Sequence, residues 1–205
     1  LDFYEIVEKE GGTNRKPVLE IIPSFKVKRS KDLMIRGKQF YAIWNARTGL
    51  WSTDEYDVQR IIDEDLAEYQ TTTTGFYEEY RRYLGNFSTN SWLQYRNFVA
   101  HLDNHYHQLD EKVTFLNSEV KKEDYVTKRL PYDLTPGDIS AWDEVVGTLY
   151  DKEERAKIEW AIGAVIVGDS KTIQKFLVFY GDPGTGKGTV LNIIQILFEG
   201  YWEAF

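Results

Sequence analysis

Apolar residues recur along this chain with two different periods, and together they predict an α+β fold that is mainly helical. In the N-terminal part, an apolar run at 18–22 predicts a short strand. Residues 39–45, a turn containing Gly49, and residues 50–52 predict a β-hairpin. Ser52 and Glu55 then form a capping-box pattern, and an amphipathic helix is expected to follow it. The apolar face of that helix comprises Val58, Ile61, Ile62, Leu66 and Tyr69.

Helical spacing also marks the middle of the chain. It predicts a short helix over 76–84 and a second helix that begins at Ser91, with Gln94 completing a capping box. His101 and His105 follow at positions i and i+4. Two histidines on one helical face can bind Zn²⁺, although cations near a helix C-terminus are favourable without a metal. The sequence is therefore consistent with either a zinc site or a helix C-terminus that carries histidines without a metal.

Beyond this point, residues 112–120 predict a strand, and the turn-forming residues of 130–137 indicate a subdomain boundary. Two helices are predicted next. The first spans about 138–150 and directs Ile139, Trp142, Val145, Val146 and Leu149 inward. The second begins at Asp151, where Glu154 completes a capping box, and ends at Gly168.

A strand, a glycine-rich loop and a helix then follow in direct succession. Residues 175–180 are apolar, β-branched and aromatic, and an apolar helical pattern occupies 190–198. This order is the context of a phosphate-binding P-loop. The candidate nucleotide-binding residues are Gly181, Asp182, Pro183, Gly184, Thr185, Gly186, Lys187, Gly188 and Thr189.

The residue types in this loop suit phosphate chemistry. Glycines allow consecutive backbone N–H groups to converge on phosphate oxygens without Cβ clashes. The helix N-terminus adds a favourable dipole and free donors. Lys187 is the candidate catalytic residue, because its ammonium group can reach the β- and γ-phosphates. A nucleotide that carries β- and γ-phosphates is therefore the expected ligand.

The magnesium position departs from the common pattern. A hydroxyl residue usually follows the lysine and ligates Mg²⁺. Here Gly188 follows Lys187, and the hydroxyl comes one residue later, at Thr189. We expect Thr189 or a water molecule to hold Mg²⁺ in the intact protein.

Composition limits the classes of protein to consider. The 205 residues suffice for one large domain or two small ones. The absence of cysteine excludes disulfides, cysteine-based zinc sites and a thiol nucleophile, which suits a cytoplasmic protein. No apolar stretch approaches the length of a membrane span. The net charge of −8 argues against strong non-specific nucleic-acid binding by the whole chain.

One local basic run stands out against this acidic background. Its six cations surround a single acid, Asp32, and the run is a candidate nucleic-acid contact. A solvated basic turn is the alternative interpretation. The residues are Lys26, Lys28, Arg29, Lys31, Arg36 and Lys38.

From about residue 112 onward, the chain resembles the superfamily 3 helicases of phages and large DNA viruses, in the primase-helicase group related to the poxvirus protein. The resemblance rests on the Leu-Pro-Tyr-Asp sequence at 130–133, the helix containing Trp142, the Gly-Asp end of the next helix at 168–169, and the run 174–181 that enters the P-loop. It implies an AAA+ ATPase that forms a hexameric ring on DNA and acts in DNA replication. Some relatives join this helicase to a primase-polymerase. A viral protein of this kind would act in the host cytoplasm.

The residue pattern and the resemblance together predict a domain order. We expect a linker at 1–16, a mixed α/β region at 17–130, a helical lead-in at 131–174, and the start of the ATPase core at 175–205. The Walker B, sensor and arginine-finger residues of such an ATPase are expected outside this chain. The segment alone is therefore expected to turn over little ATP.

Two alternatives of other classes remain. Adenylate-kinase-like enzymes share the Gly-Lys-Gly-Thr ending of this loop, but they begin with it and do not carry some 180 residues before it. The first 130 residues are also consistent with a non-catalytic module for oligomerisation or DNA docking.

Overall fold

The computed structural model describes residues 4–10, 17–23, 31–72, 93 and 96–202, which form a mixed α+β structure. The chain divides into two compact units, Leu1–Gln108 and Leu109–Phe205. This division precedes the turn-rich stretch at 130–137, and the domain limits inferred from the sequence stay predictions. The helix expected at 76–84 lies outside the described residues.

Two antiparallel sheets belong to the first unit. Strand β1 (Tyr4–Glu10) lies in the range expected to be a linker, and it pairs with β2 (Pro17–Pro23), which confirms the strand expected at 18–22. The second sheet has the order β3 (Leu33–Arg36), β4 (Gln39–Asn45), β5 (Leu50–Ser52). Strands β4 and β5 confirm the predicted hairpin, and Gly49 adopts φ +64° in its turn.

Helix α1 (Tyr56–Thr72) follows the second sheet and buries Val58 and Ile62. The predicted capping box of Ser52 and Glu55 is wrong. Instead, Asp54 Oδ1 accepts a hydrogen bond from Tyr56 N at 2.9 Å, and Glu55 pairs with Arg96 at 3.1 Å. The other buried apolar residues of this unit are Leu33, Met34, Ile35, Ala42, Ile43, Trp51 and Val99.

The second unit contains the helices α2 (Ser140–Leu149), α3 (Lys152–Val167), α4 (Ser170–Ile173) and α5 (Lys187–Leu197). The caps predicted for α3 are confirmed. Glu154 N donates to Asp151 Oδ1 at 2.8 Å, Asp151 N donates to Glu154 Oε2 at 3.4 Å, and Gly168 closes the helix at φ +78°.

Apolar side chains of α2, α3 and α5 meet in the core of this unit. Val146, Ile158 and Val190 form one buried cluster, and Ile162 and Ile194 pack against it. The same two isoleucines also pack against a second cluster, formed by Val113, Phe115, Leu130 and Phe198. Two inward predictions for α2 are wrong. Ile139 caps the helix and is 59% exposed, because it precedes the first turn that packs, and Leu149 in the last turn is 36% exposed.

Two strands were predicted in this unit, at 112–120 and 175–180, and neither segment forms a strand. Residues 112–120 are irregular, although Leu130 N donates to Thr114 O and Leu116 N donates to Tyr132 O. Residues 175–180 lack a paired strand among the described residues. Phe176, Val178 and Tyr180 are 88%, 66% and 98% exposed, whereas Phe179 between them is half-buried. The alternation of an extended chain is present, but among the described residues nothing supplies the inter-strand hydrogen bonds that define a strand.

In the part of the chain that the structure describes, no helix is both long enough and apolar enough to cross a membrane.

Candidate nucleotide-binding site

Three glycines set the course of the candidate loop. Gly181, Gly184 and Gly186 have φ values of +147°, +82° and +80°, a region in which other residues are strained. Gly186 is also the N-cap of α5, and its carbonyl accepts the first helical hydrogen bond, from Val190 N at 3.2 Å. The glycine spacing read from the sequence is thus required by the backbone of the loop.

The side chain of Lys187 folds back into this loop and is half-buried there. Its Nζ donates to Gly181 O at 2.9 Å, to Asp182 O at 2.7 Å and to Thr185 Oγ1 at 2.9 Å. Thr185 Oγ1 in turn donates to Asp182 O at 3.0 Å. The ammonium group therefore lies at the centre of the loop, held by oxygen atoms of the loop itself.

The backbone N–H groups around the lysine have no such partners. From Gly184 to Thr189, none of the six amides donates a hydrogen bond to another described residue. Six consecutive donors and one ammonium group on the same loop form a concentrated positive potential at the N-terminus of α5. This arrangement suits an anion with several oxygen atoms.

Helix α2 supports the loop from behind. A Cβ atom added to Gly186 would lie 2.5 Å from Leu149 Cδ2, so the Leu149 side chain occupies the space beside the glycine. Below the loop, Val190 of α5 is fully buried against Val146 and Ile158. The sequence assigned Leu149 to the helical core; its contact with the loop was not predicted, because periodicity does not indicate which element faces a residue.

A cavity of about 490 Å³ adjoins the loop. The rings of Tyr150 and Phe179 meet edge to face in its wall, with centroids 6.3 Å apart. The Tyr150 hydroxyl is buried and has no hydrogen-bond partner among the residues that the structure describes. At the rim, the Glu153 carboxylate bonds to Lys157 and raises the pKa of that amine. An aromatic wall next to a cationic loop fits a ligand that has an aromatic part and an anionic part.

The hydroxyl expected to hold Mg²⁺ lies in the first turn of α5. Thr189 is exposed, and its Oγ1 has no hydrogen-bond partner among the described residues. A Cβ atom on Gly188 would meet nothing within 4 Å. Within the described part of the chain, no cluster of three or more His, Asp or Glu side chains is arranged to hold a metal.

The other candidate residues belong to the first unit. Lys26, Lys28 and Arg29 lie outside the described residues, whereas Lys31, Arg36 and Lys38 precede, end and follow strand β3. The two histidines do not share a helical face. His101 is in a turn, and His105 is in an extended segment that pairs with Ile35.

Comparisons of this chain with protein-family models, with curated proteins and with solved structures find no match.

Proposed function

We propose that residues 181–189 form an ATP-binding P-loop, and that the chain is part of an ATP-dependent replicative DNA helicase of phage or viral type. The observation that carries the proposal is the loop itself: one central ammonium group beside six backbone amides that have no acceptor among the described residues. The wider helicase assignment rests on the order of the sequence elements around that loop.

In this proposal, the loop exchanges internal hydrogen bonds for bonds to phosphate. The amides of residues 184–189 donate to phosphate oxygens, which adds bonds to donors that have no acceptor in the part of the chain that the structure describes. Lys187 leaves the carbonyl oxygens of Gly181 and Asp182 and pairs with the phosphates. A charged acceptor favours this exchange, since hydrogen bonds between ionised partners are roughly twice as strong as neutral ones.

Mg²⁺ bound with the nucleotide would neutralise phosphate charge. Thr189 is the residue of the loop that would hold it, since its hydroxyl bonds to no described residue and Gly188 offers no side chain. The aromatic wall of the adjoining cavity, Tyr150 and Phe179, would face the nucleoside.

The remaining parts of the proposal concern the intact protein. It would assemble as a hexameric ring on DNA, in some relatives joined to a primase-polymerase domain. Hydrolysis of ATP also needs a Walker B carboxylate, a sensor and an arginine finger. Nucleotide binding is therefore the property of this chain that tests the proposal.

The test is a calorimetric titration of the 205-residue protein with ATP and Mg²⁺. Lys187→Ala should weaken binding at least about tenfold, because it removes a charge-assisted contact. Lys171→Ala removes an exposed lysine that pairs with Glu111 at 2.7 Å, and it should leave the affinity unchanged. Equal ATP affinity in wild type and Lys187→Ala would contradict the proposal. Phosphoryl transfer from ATP to AMP would favour the kinase alternative.

A further inference from the structure

Three side chains from separate parts of the first unit meet on the surface of its second sheet. Arg36 ends β3, Tyr41 lies in β4, and Tyr106 follows the extended residue His105. The Arg36 Cζ lies 5.7 Å from the centroid of the Tyr41 ring and 5.0 Å from that of Tyr106. The two rings meet edge to face at 5.3 Å. We call these three residues the Arg36 platform.

Backbone pairing holds the platform together. Ile35 N donates to His105 O, and His105 N donates to Ile35 O, both at 2.8 Å. On the other side of β3, Ile35 faces Phe40 and Arg36 faces Gln39. Arg36 and Tyr106 are exposed, the latter by 42%, and Tyr41 is half-buried. The platform is therefore presented to solvent by a sheet whose register fixes the spacing of its parts.

Arg36 differs from the other arginines described in this unit. Arg47 pairs with Glu64 at 2.9 Å, Arg60 with Asp54 at 2.8 Å, and Arg96 with Glu55 at 3.1 Å. Arg36 has neither a carboxylate partner nor a hydrogen-bond acceptor among the described residues.

The guanidinium group of Arg36 is nevertheless oriented, because the two rings hold it. Lys38 lies two residues further on. It is also exposed and has no ion pair in the described part of the chain. The platform thus offers two available cations next to an aromatic surface.

We infer that the Arg36 platform binds single-stranded nucleic acid. Tyr106 would stack a base, and Arg36 and Lys38 would bind the adjacent phosphates. Unpaired bases present the flat faces that a tyrosine ring can stack, whereas a duplex keeps its bases stacked on each other. An acidic peptide would engage the cations but would leave the aromatic ring without a planar partner.

This inference rests on the proposed function, in that it supplies a contact for the nucleic-acid substrate of the proposed helicase. Its residues are nevertheless separate from the P-loop. Binding at the platform therefore requires no nucleotide, and Lys187→Ala should bind nucleic acid as the wild type does. Loss of nucleic-acid binding in Lys187→Ala would assign the contact to the P-loop and overturn the inference.

Fluorescence anisotropy of labelled dT and rU 20-mers, and of a 20-base-pair duplex, tests the inference directly at low salt. Arg36→Gln and Tyr106→Ala should each weaken single-strand binding about tenfold. Arg36→Gln should also reduce the salt dependence by about one counterion. Arg47→Gln is the matched control, since it removes the same charge from the turn between β4 and β5, and it should change the affinity less than about twofold.

Binding of either single strand supports the inference, and the ratio of the two affinities identifies DNA or RNA as the preferred strand. Equal losses in Arg36→Gln and Arg47→Gln would overturn it in favour of general charge. Duplex binding as tight as single-strand binding would also overturn it.

A measurement on the unaltered protein avoids any effect of the substitutions on folding. Ultraviolet cross-linking to a 5-bromodeoxyuridine 20-mer should label the peptide that contains Tyr106. Labelling confined to other peptides would overturn the inference.

Discussion

Lys187 and the Arg36 platform both offer a cation to an anionic ligand, but the two cations are held in opposite ways. Lys187 Nζ donates to three oxygen atoms of its own loop, at 2.7 to 2.9 Å. Arg36 lies over two tyrosine rings that contact each other, and it has no acceptor among the described residues. A ligand at Lys187 must replace existing bonds, whereas a ligand at Arg36 adds new ones. Affinity at the loop therefore depends on the loop backbone as much as on the lysine.

The largest effect should come from altering that backbone. Gly186→Ala places a Cβ atom at φ +80° and within 2.5 Å of Leu149 Cδ2. Left-handed backbone costs about 1–2 kcal/mol and overpacking about 1–3 kcal/mol, so ATP affinity should fall about a hundredfold. Calorimetric titration measures this loss.

Two further variants isolate the cause. Gly188→Ala, for which the added Cβ meets nothing within 4 Å, should bind ATP as the wild type does. The double variant Gly186→Ala, Leu149→Ala removes the steric contact and should recover part of the affinity. If Gly186→Ala and Gly188→Ala bind equally well, the loop backbone does not set the affinity.

The loop could be predicted because all of its parts are contiguous. The glycines, the lysine and the following helix occupy one stretch of chain. Gly181, Gly184 and Gly186 adopt positive φ angles, which glycine tolerates better than other residues. The caps of α3 were predictable for the same reason, since Asp151 and Glu154 are three residues apart. Hydrogen bonds between residues a few positions apart can be predicted from sequence, because both partners belong to one stretch of chain.

The Arg36 platform was only partly predictable. Arg36 belongs to a basic run that the sequence singled out, but Tyr41 and Tyr106 join it only through the pairing of β3 with β4 and with His105. The strand expected at 175–180 likewise depends on pairing with a segment that is distant in sequence. Its residue types favour a strand, yet a strand forms only where another chain segment supplies the hydrogen bonds.

A smaller effect is expected from substituting Tyr201, whose hydroxyl group links two backbone segments of the second unit. Its hydroxyl accepts a hydrogen bond from Thr114 N at 3.2 Å and donates one to Lys128 O at 2.8 Å. Tyr201→Phe leaves both groups unpaired and should lower the free energy of unfolding by about 1–3 kcal/mol in urea denaturation. Tyr180→Phe, at a side chain that is 98% exposed, is the control and should change little.

Tyr201→Phe also tests whether the core affects ligand binding at either of the two sites. In the folded protein, Tyr201→Phe should leave both ATP affinity and oligonucleotide affinity unchanged, because the hydroxyl supports the core and contacts neither site. A change in ATP affinity alone would mean that the core also sets the shape of the loop.

The smallest expected effect is a pH dependence of the difference in unfolding free energy between the wild type and Tyr201→Phe. Burial raises the pKa of Tyr201, so folding favours the neutral phenol. Its stabilisation is present below the unfolded-state pKa of about 10 and is lost as the pH rises through the folded-state pKa. The difference in unfolding free energy between wild type and Tyr201→Phe should therefore shrink above about pH 10. A difference that stays constant or grows between pH 8 and 11 would contradict this assignment.

Amide hydrogen exchange of the wild-type protein, with and without ATP and Mg²⁺, tests the central claim most directly. The six amides from Gly184 to Thr189 have no acceptor among the described residues, so they should exchange rapidly in the free protein. If they bind phosphate oxygens, ATP should slow their exchange in the wild type, and the same slowing in Lys187→Ala should need at least about ten times more ATP. Protection by ATP at other segments, with these six amides unaffected, would contradict the account.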